Sequence, residues 1–139
     1  MAPLFLVDTS AWIFALRRNP VQAIRDRVDA LLESDVVATC GLVELELLGG
    51  TANENEYARL QSRLMALHRL PIMEKDWEAA AHLAFSLRRV GITVPFTDVL
   101  LSALALRHGL VLLHADRDMD LIAKKSSLQV ESLVDAISP

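Results

Sequence analysis

Short apolar runs alternate along this chain with longer segments whose apolar residues recur every three or four positions. The runs 4–7, 36–39, 70–73, 110–114 and 128–131 are strand-sized and read as strands buried on both faces. Between them the period is helical. Ser10 can cap a helix running to Arg18, stopped by Asn19-Pro20. Val21 to Glu33 places Ile24, Val28, Leu31 and Leu32 on one side. Gly41 opens a helix that Gly49-Gly50 closes. Asn53–His68 and Lys75–Val90 form two more, expected to make a hairpin that flanks the sheet or a dimer surface. Thr97 is placed to cap an almost wholly apolar helix, Val99 to Leu106, ended by Gly109. Strands alternating with helices predict an α/β fold: about five strands in a central parallel sheet, helices on both faces. No repeat or linker interrupts residues 1–139, so one domain is expected.

Acidic residues punctuate this pattern. Asp8 follows the run Leu4-Phe5-Leu6-Val7, and Asp116 and Asp118 follow Leu110–Ala115. Ligands of open α/β sheets bind beyond the carboxyl ends of the strands. Carboxylates gathered there repel one another unless a cation neutralises them. Hard cations such as Mg²⁺ or Mn²⁺ take oxygen ligands and usually meet phosphate, which points to metal-dependent phosphoryl chemistry.

Each acid also has a local reading. Asp8 can be a helix N-cap, a task Thr9 or Ser10 could share. Asp98 can be a first-turn acid stabilised by the helix dipole. Asp116 and Asp118 sit where a loop favours aspartate, although Asp-x-Asp spacing also lets two carboxylates meet one ion. Glu44 and Glu46 lie about 200° apart on a helix, so only one of them can face the cluster. Glycines 49 and 50, beside Glu46, leave its carboxylate unshielded. His114 adjoins the cluster but reads as a structural strand-end histidine. Arg117, between two of the acids, is the best-placed contact for a polynucleotide backbone.

Composition narrows the setting. The net charge is −4, yet without the five candidate acids 13 acids would face 14 bases, so a nucleic-acid substrate is compatible. No apolar run approaches a membrane span, and Met1-Ala2-Pro3 leads into a strand without a signal-like segment. The single cysteine, Cys40, fits a core position in a reducing cytoplasm.

Val-Asp-Thr-Ser at 7–10, Glu-Leu-Leu-x-Gly at 46–50, Thr-Asp-x-Leu-Leu at 97–101 and His-x-Asp-Arg-Asp at 114–118 together resemble a PIN-domain ribonuclease, more narrowly a VapC-type toxin. The resemblance spans the chain. It implies a PIN-like domain and a Mg²⁺- or Mn²⁺-dependent endoribonuclease acting on structured RNA. It implies an acidic quartet of Asp8, Glu46, Asp98 and Asp116, with Asp118 as a fifth acid and the ions on Asp8, Asp98 and Asp116. Thr9, Ser10 and Thr97 match supporting hydroxyl positions. A homodimer and a VapB-type antitoxin are further implications. The Glu-Leu-Leu-x-Gly frame selects Glu46 over Glu44. Haloacid-dehalogenase-like phosphatases need Asp-x-Asp after the first strand, where this chain has Asp8-Thr9-Ser10. The other alternative is a catalytically idle PIN domain that binds RNA or a protein partner.

Overall fold

The computed structural model describes residues 3–137, so of Met1-Ala2-Pro3 only Pro3 lies within the described range. Five strands, β1 (Phe5–Val7), β2 (Val37–Cys40), β3 (His68–Leu70), β4 (Val111–His114) and β5 (Gln129–Ser132), form one sheet in the order β3-β2-β1-β4-β5. Every pairing is parallel. Successive side chains of a strand point to opposite faces. Leu6 and Val7 of β1, and Leu112 and Leu113 of β4, are nonetheless all fully buried. The sheet is therefore covered on both sides, as the apolar runs require.

The helices, among the described residues, are α1 (Thr9–Leu16), α2 (Gln22–Glu33), α3 (Gly41–Gly49), α4 (Glu54–Met65), α5 (Glu74–Arg89), α6 (Phe96–His108), α7 (Arg117–Lys124) and α8 (Val134–Ile137). In α2 the buried residues are Ile24, Val28 and Leu31, the spacing of one helical stripe. In α6 every residue from Val99 to Ala105 is buried, which accounts for its nearly unbroken apolarity. Gly109 ends α6 at φ 63°, and the Leu110 N–H returns to the Ala105 carbonyl. That left-handed turn favours glycine.

The structure departs from the sequence pattern in the middle of the chain. The strand expected at 70–73 is β3 at His68–Leu70, in register with Ala38–Cys40. The helix expected to reach His68 stops at Met65, because His68 and its neighbours pair with the sheet instead. The helical hairpin of 53–90 does not form: α4 packs on α3, whereas α5 packs on α6. Strand β3 between the two helices sends them to different neighbours.

One ion pair fastens α5 to α6. Asp76 is fully buried and receives Arg107 Nε at 2.5 Å and Nη2 at 2.9 Å, as well as the Met73 N–H at 2.7 Å. Arg107 Nη2 also donates to the Pro71 carbonyl at 3.3 Å. The guanidinium holds the Asp76 carboxyl below the usual carboxylate range. Removing one partner of such a pair leaves the other charge buried and uncompensated. Arg107→Met should therefore lower the thermal midpoint by ~5 °C or more. A shift below ~1 °C in thermal denaturation would contradict this role for the pair.

Candidate active site

Parallel pairing of β1 with β4 sets the site. Leu6 and Val7 lie opposite Leu112 and Leu113, and the Asp8 N–H continues the ladder to the Leu113 carbonyl at 2.9 Å. Asp8 therefore leaves the sheet beside the segment that carries Asp116. Asp8, not Ser10, is the N-cap of α1, with its Oδ2 accepting from the Ser10 N–H at 3.3 Å and from Ser10 Oγ at 2.5 Å. Ser10 Oγ in turn accepts from the Ala115 N–H at 3.0 Å, tying the ends of β1 and β4 together.

Asp116 and Asp118 do not lie in a loop. Asp116 caps α7, its Oδ1 accepting from the Asp118 N–H at 2.9 Å, and Asp118 occupies the first turn. Helix α6 starts earlier than expected. Pro95 is its N-cap, so Thr97 falls inside the first turn, exposed, with Asp98 beside it. A proline can open a helix because the first turn has no use for its missing N–H.

One carboxylate oxygen from each of Asp98, Asp116 and Asp118 lies within 4.8 Å of the others. Asp98 Oδ2 is buried and has no hydrogen-bond partner. Burial pushes the Asp98 carboxyl up to about 8, with the charges of Asp116 and Asp8 adding to it. Two ionised carboxylates cannot bond to each other, so Asp98 and Asp116 can do so directly only when one carries a proton. Burial also raises Asp118, with Asp116 second, and raises Asp8 against the opposing Ser10 hydrogen bonds. All-oxygen donors, converging charges and an unpaired buried oxygen together suit a hard divalent cation.

The two glutamates separate as a helix requires. Glu46 is exposed and accepts from Thr9 Oγ1 at 2.7 Å, next to Asp8 in the chain. Glu44 faces elsewhere, in an ion pair with Arg69 whose Nε lies 3.0 Å from Oε1. Arg117 is exposed at the first position of α7. Cys40 is buried, and burial raises its thiol, so it is a core residue and not a nucleophile. Sequence reasoning overlooked Asp120, whose Oδ1 lies 3.1 Å from Nε2 of the fully buried His114. Its one sequence signal was i,i+4 spacing from Asp116.

The PIN-domain family profile matches residues 5–125. Ribonuclease VapC11 of Mycobacterium tuberculosis is 34% identical over 132 residues, covering 93% of this chain and 98% of its own length. VapBC2 of Rickettsia felis bound to a promoter DNA fragment includes a chain that superposes with a TM-score of 0.73 at 17% identity, with 93% of this chain and 98% of that one covered. Mycobacterium tuberculosis VapC20, described as a sarcin-ricin loop cleaving toxin, superposes with a TM-score of 0.66 at 19% identity, covering 90% and 98%. The two structures agree with this chain in fold.

The raised acids fix how stability depends on pH without metal. Asp98 keeps its proton up to about pH 8 in the folded protein but releases it near 3.8 when unfolded. Across that window the folded state holds the extra proton, so unfolding free energy falls as pH rises. Asp8 and Asp118 act in the same direction. In EDTA, denaturant midpoints should decline from pH 5 to pH 8 (on the order of the window set by these shifts), and Asp98→Asn should flatten the decline. A midpoint that rises over this range in wild type would contradict the assignment.

Proposed function

The chain belongs to the PIN-domain family and, within it, to the VapC ribonucleases; from that premise we propose that residues 1–139 form a single PIN-like domain that acts as a Mg²⁺-dependent endoribonuclease, with Mn²⁺ able to substitute. The observation that carries this reading is the convergence of one carboxylate oxygen from each of Asp98, Asp116 and Asp118, together with a buried Asp98 oxygen that has no hydrogen-bond partner. These three residues, with Asp8 alongside, would hold the cation. Bound there, a divalent ion supplies Lewis acidity toward the scissile phosphate and lowers the pKa of a nearby water.

The remaining steps fall to side chains of this chain. Asp8 lies outside the converging three but close enough for its charge to act on Asp98, and both Ser10 bonds orient its carboxylate. Glu46 has one oxygen engaged by Thr9, leaving Oε2 to take a proton from the attacking water. Asp118, in the first turn of α7, is the second carboxylate proposed to accept that proton. Exposed Arg117 engages the RNA backbone at the rim. Thr97, exposed in the first turn of α6 beside Asp98, is the third supporting hydroxyl of this reading.

A VapB-type antitoxin is the protein partner in this reading, supported by the likeness to a chain of VapBC2 from Rickettsia felis. The substrate is structured RNA of the tRNA or rRNA class, supported by what VapC20 is described as cleaving. A homodimer accounts for the apolar surface of α5, where Trp77 and Phe85 are more than half exposed, as is Phe96 at the start of α6. The place of action is the cytoplasm. No helix among the described residues is long and apolar enough to cross a membrane, and a buried free cysteine suits a reducing compartment. The intact acidic set disfavours an idle adaptor.

Cleavage of total RNA with Mn²⁺ tests the reading. Asp98→Asn should abolish it with the circular dichroism unchanged; a folded Asp98→Asn that cleaves at the wild-type rate removes Asp98 from the site. Glu46→Gln should slow cleavage by ~100-fold, the contribution of a positioned general base. Glu44→Gln should stay near wild type, since Glu44 is committed to Arg69. Equal losses from the two glutamate variants would remove the distinction drawn between them.

A further inference from the structure

His114 is the last residue of β4 and is fully buried, yet both ring nitrogens have polar neighbours. The Asp116 N–H donates to His114 Nδ1 at 3.1 Å. That bond requires Nδ1 to be bare, so the proton of a neutral ring resides on Nε2. Nε2 lies 3.1 Å from Asp120 Oδ1, in a contact too bent for a directional hydrogen bond but close enough to attract its proton electrostatically. Asp120 is itself steadied from β5, where Ser132 Oγ donates to Oδ2 at 2.9 Å. The Leu133 N–H donates to the His114 carbonyl at 2.8 Å. A chain of contacts thus runs from the end of β5 through α7 to the peptide of Asp116.

We propose that His114 is a positioning residue: through Nδ1 it fixes the Asp116 peptide, and so aims the Asp116 carboxylate at the cation. This deepens the metal reading above and rests on it. The path is short and covalently constrained. Nδ1 holds the Asp116 N–H, and Asp116 Oδ1 holds the Asp118 N–H. Two of the three converging carboxylates therefore take their places from consecutive turns that begin at the histidine ring. Without the Nδ1 acceptor the Asp116 N–H would be released, and the strand-to-helix turn could rotate its side chain off the cluster. Outer partners of this kind typically alter metal affinity by ~10–100-fold.

Two substitutions separate aiming from packing. His114→Asn keeps an acceptor oxygen where Nδ1 stands but leaves a void, whereas His114→Leu fills the space and removes the acceptor. Calorimetric Mn²⁺ titration should find His114→Leu weaker than wild type by ~10-fold or more, with His114→Asn within ~3-fold. Thermal midpoints in EDTA should rank the other way, with the leucine variant the more stable. Affinity that follows stability, or equal affinity in both variants, overturns the proposal. Long-range ¹H–¹⁵N spectra of the metal-free wild type provide a test that needs no variant. A bare Nδ1 supports the assignment, and a protonated Nδ1 overturns it. Wild type that binds no Mn²⁺ overturns the metal reading and this inference together; wild type that binds it, with variants unchanged, overturns the inference alone.

Discussion

Carboxylates gathered at one end of a parallel sheet repel one another, and most of the site can be understood as the answer to that repulsion. Asp8, Asp98, Asp116 and Asp118 come from three separate segments, so no local rule brings them together; β1–β4 pairing and the packing of α6 do. Three helices begin at the cluster. Asp8 caps α1, Asp116 caps α7, and Asp98 and Asp118 sit in the first turns of α6 and α7. Helix N-termini carry partial positive charge and unpaired N–H groups, which offset part of the negative charge. The offset is incomplete. Asp98 retains a buried oxygen with no partner and a carboxyl raised to about 8. That residue of unmet negative potential is what a cation would satisfy.

The scaffold keeps this strained end apart from what stabilises the domain. The central strands are covered on both faces, and an ion pair between buried Asp76 and exposed Arg107 joins α5 to the far end of α6 from Asp98. A carboxylate lowered by its partner and a carboxylate raised by its neighbours thus stand at opposite ends of elements that pack together. The first favours the folded state at neutral pH; the second opposes it until a proton or a cation is bound.

The sequence pattern was most informative where burial dictates it. β1, β4 and α6 are nearly continuous apolar runs because they are enclosed, and the acids that follow β1 and β4 and begin α6 stood out against them as candidates. Glu46 could be separated from Glu44 because helical geometry sends neighbours two apart to opposite sides, and the structure gives each its own partner. Local boundaries were harder to read. α7 has only eight residues, and its acids at 116, 118 and 120 resemble a polar loop until the fold supplies a surface for Met119 and Ile122 to pack against. The four-residue α8 carried no period to detect. Ser10 and Thr97 are good capping residues, but Asp8 and Pro95 hold the cap positions. The contacts of His114 depend on β5 and α7 arriving beside β4, a tertiary fact with no counterpart in residue spacing.

The central claim is that the cluster holds a proton in place of a cation, chiefly at Asp98. Calorimetry of Mn²⁺ binding at pH 7, repeated in buffers of different ionisation enthalpy, measures the protons released. The account predicts release of about one proton per ion in wild type and almost none in Asp98→Asn. Binding by wild type without proton release would contradict it.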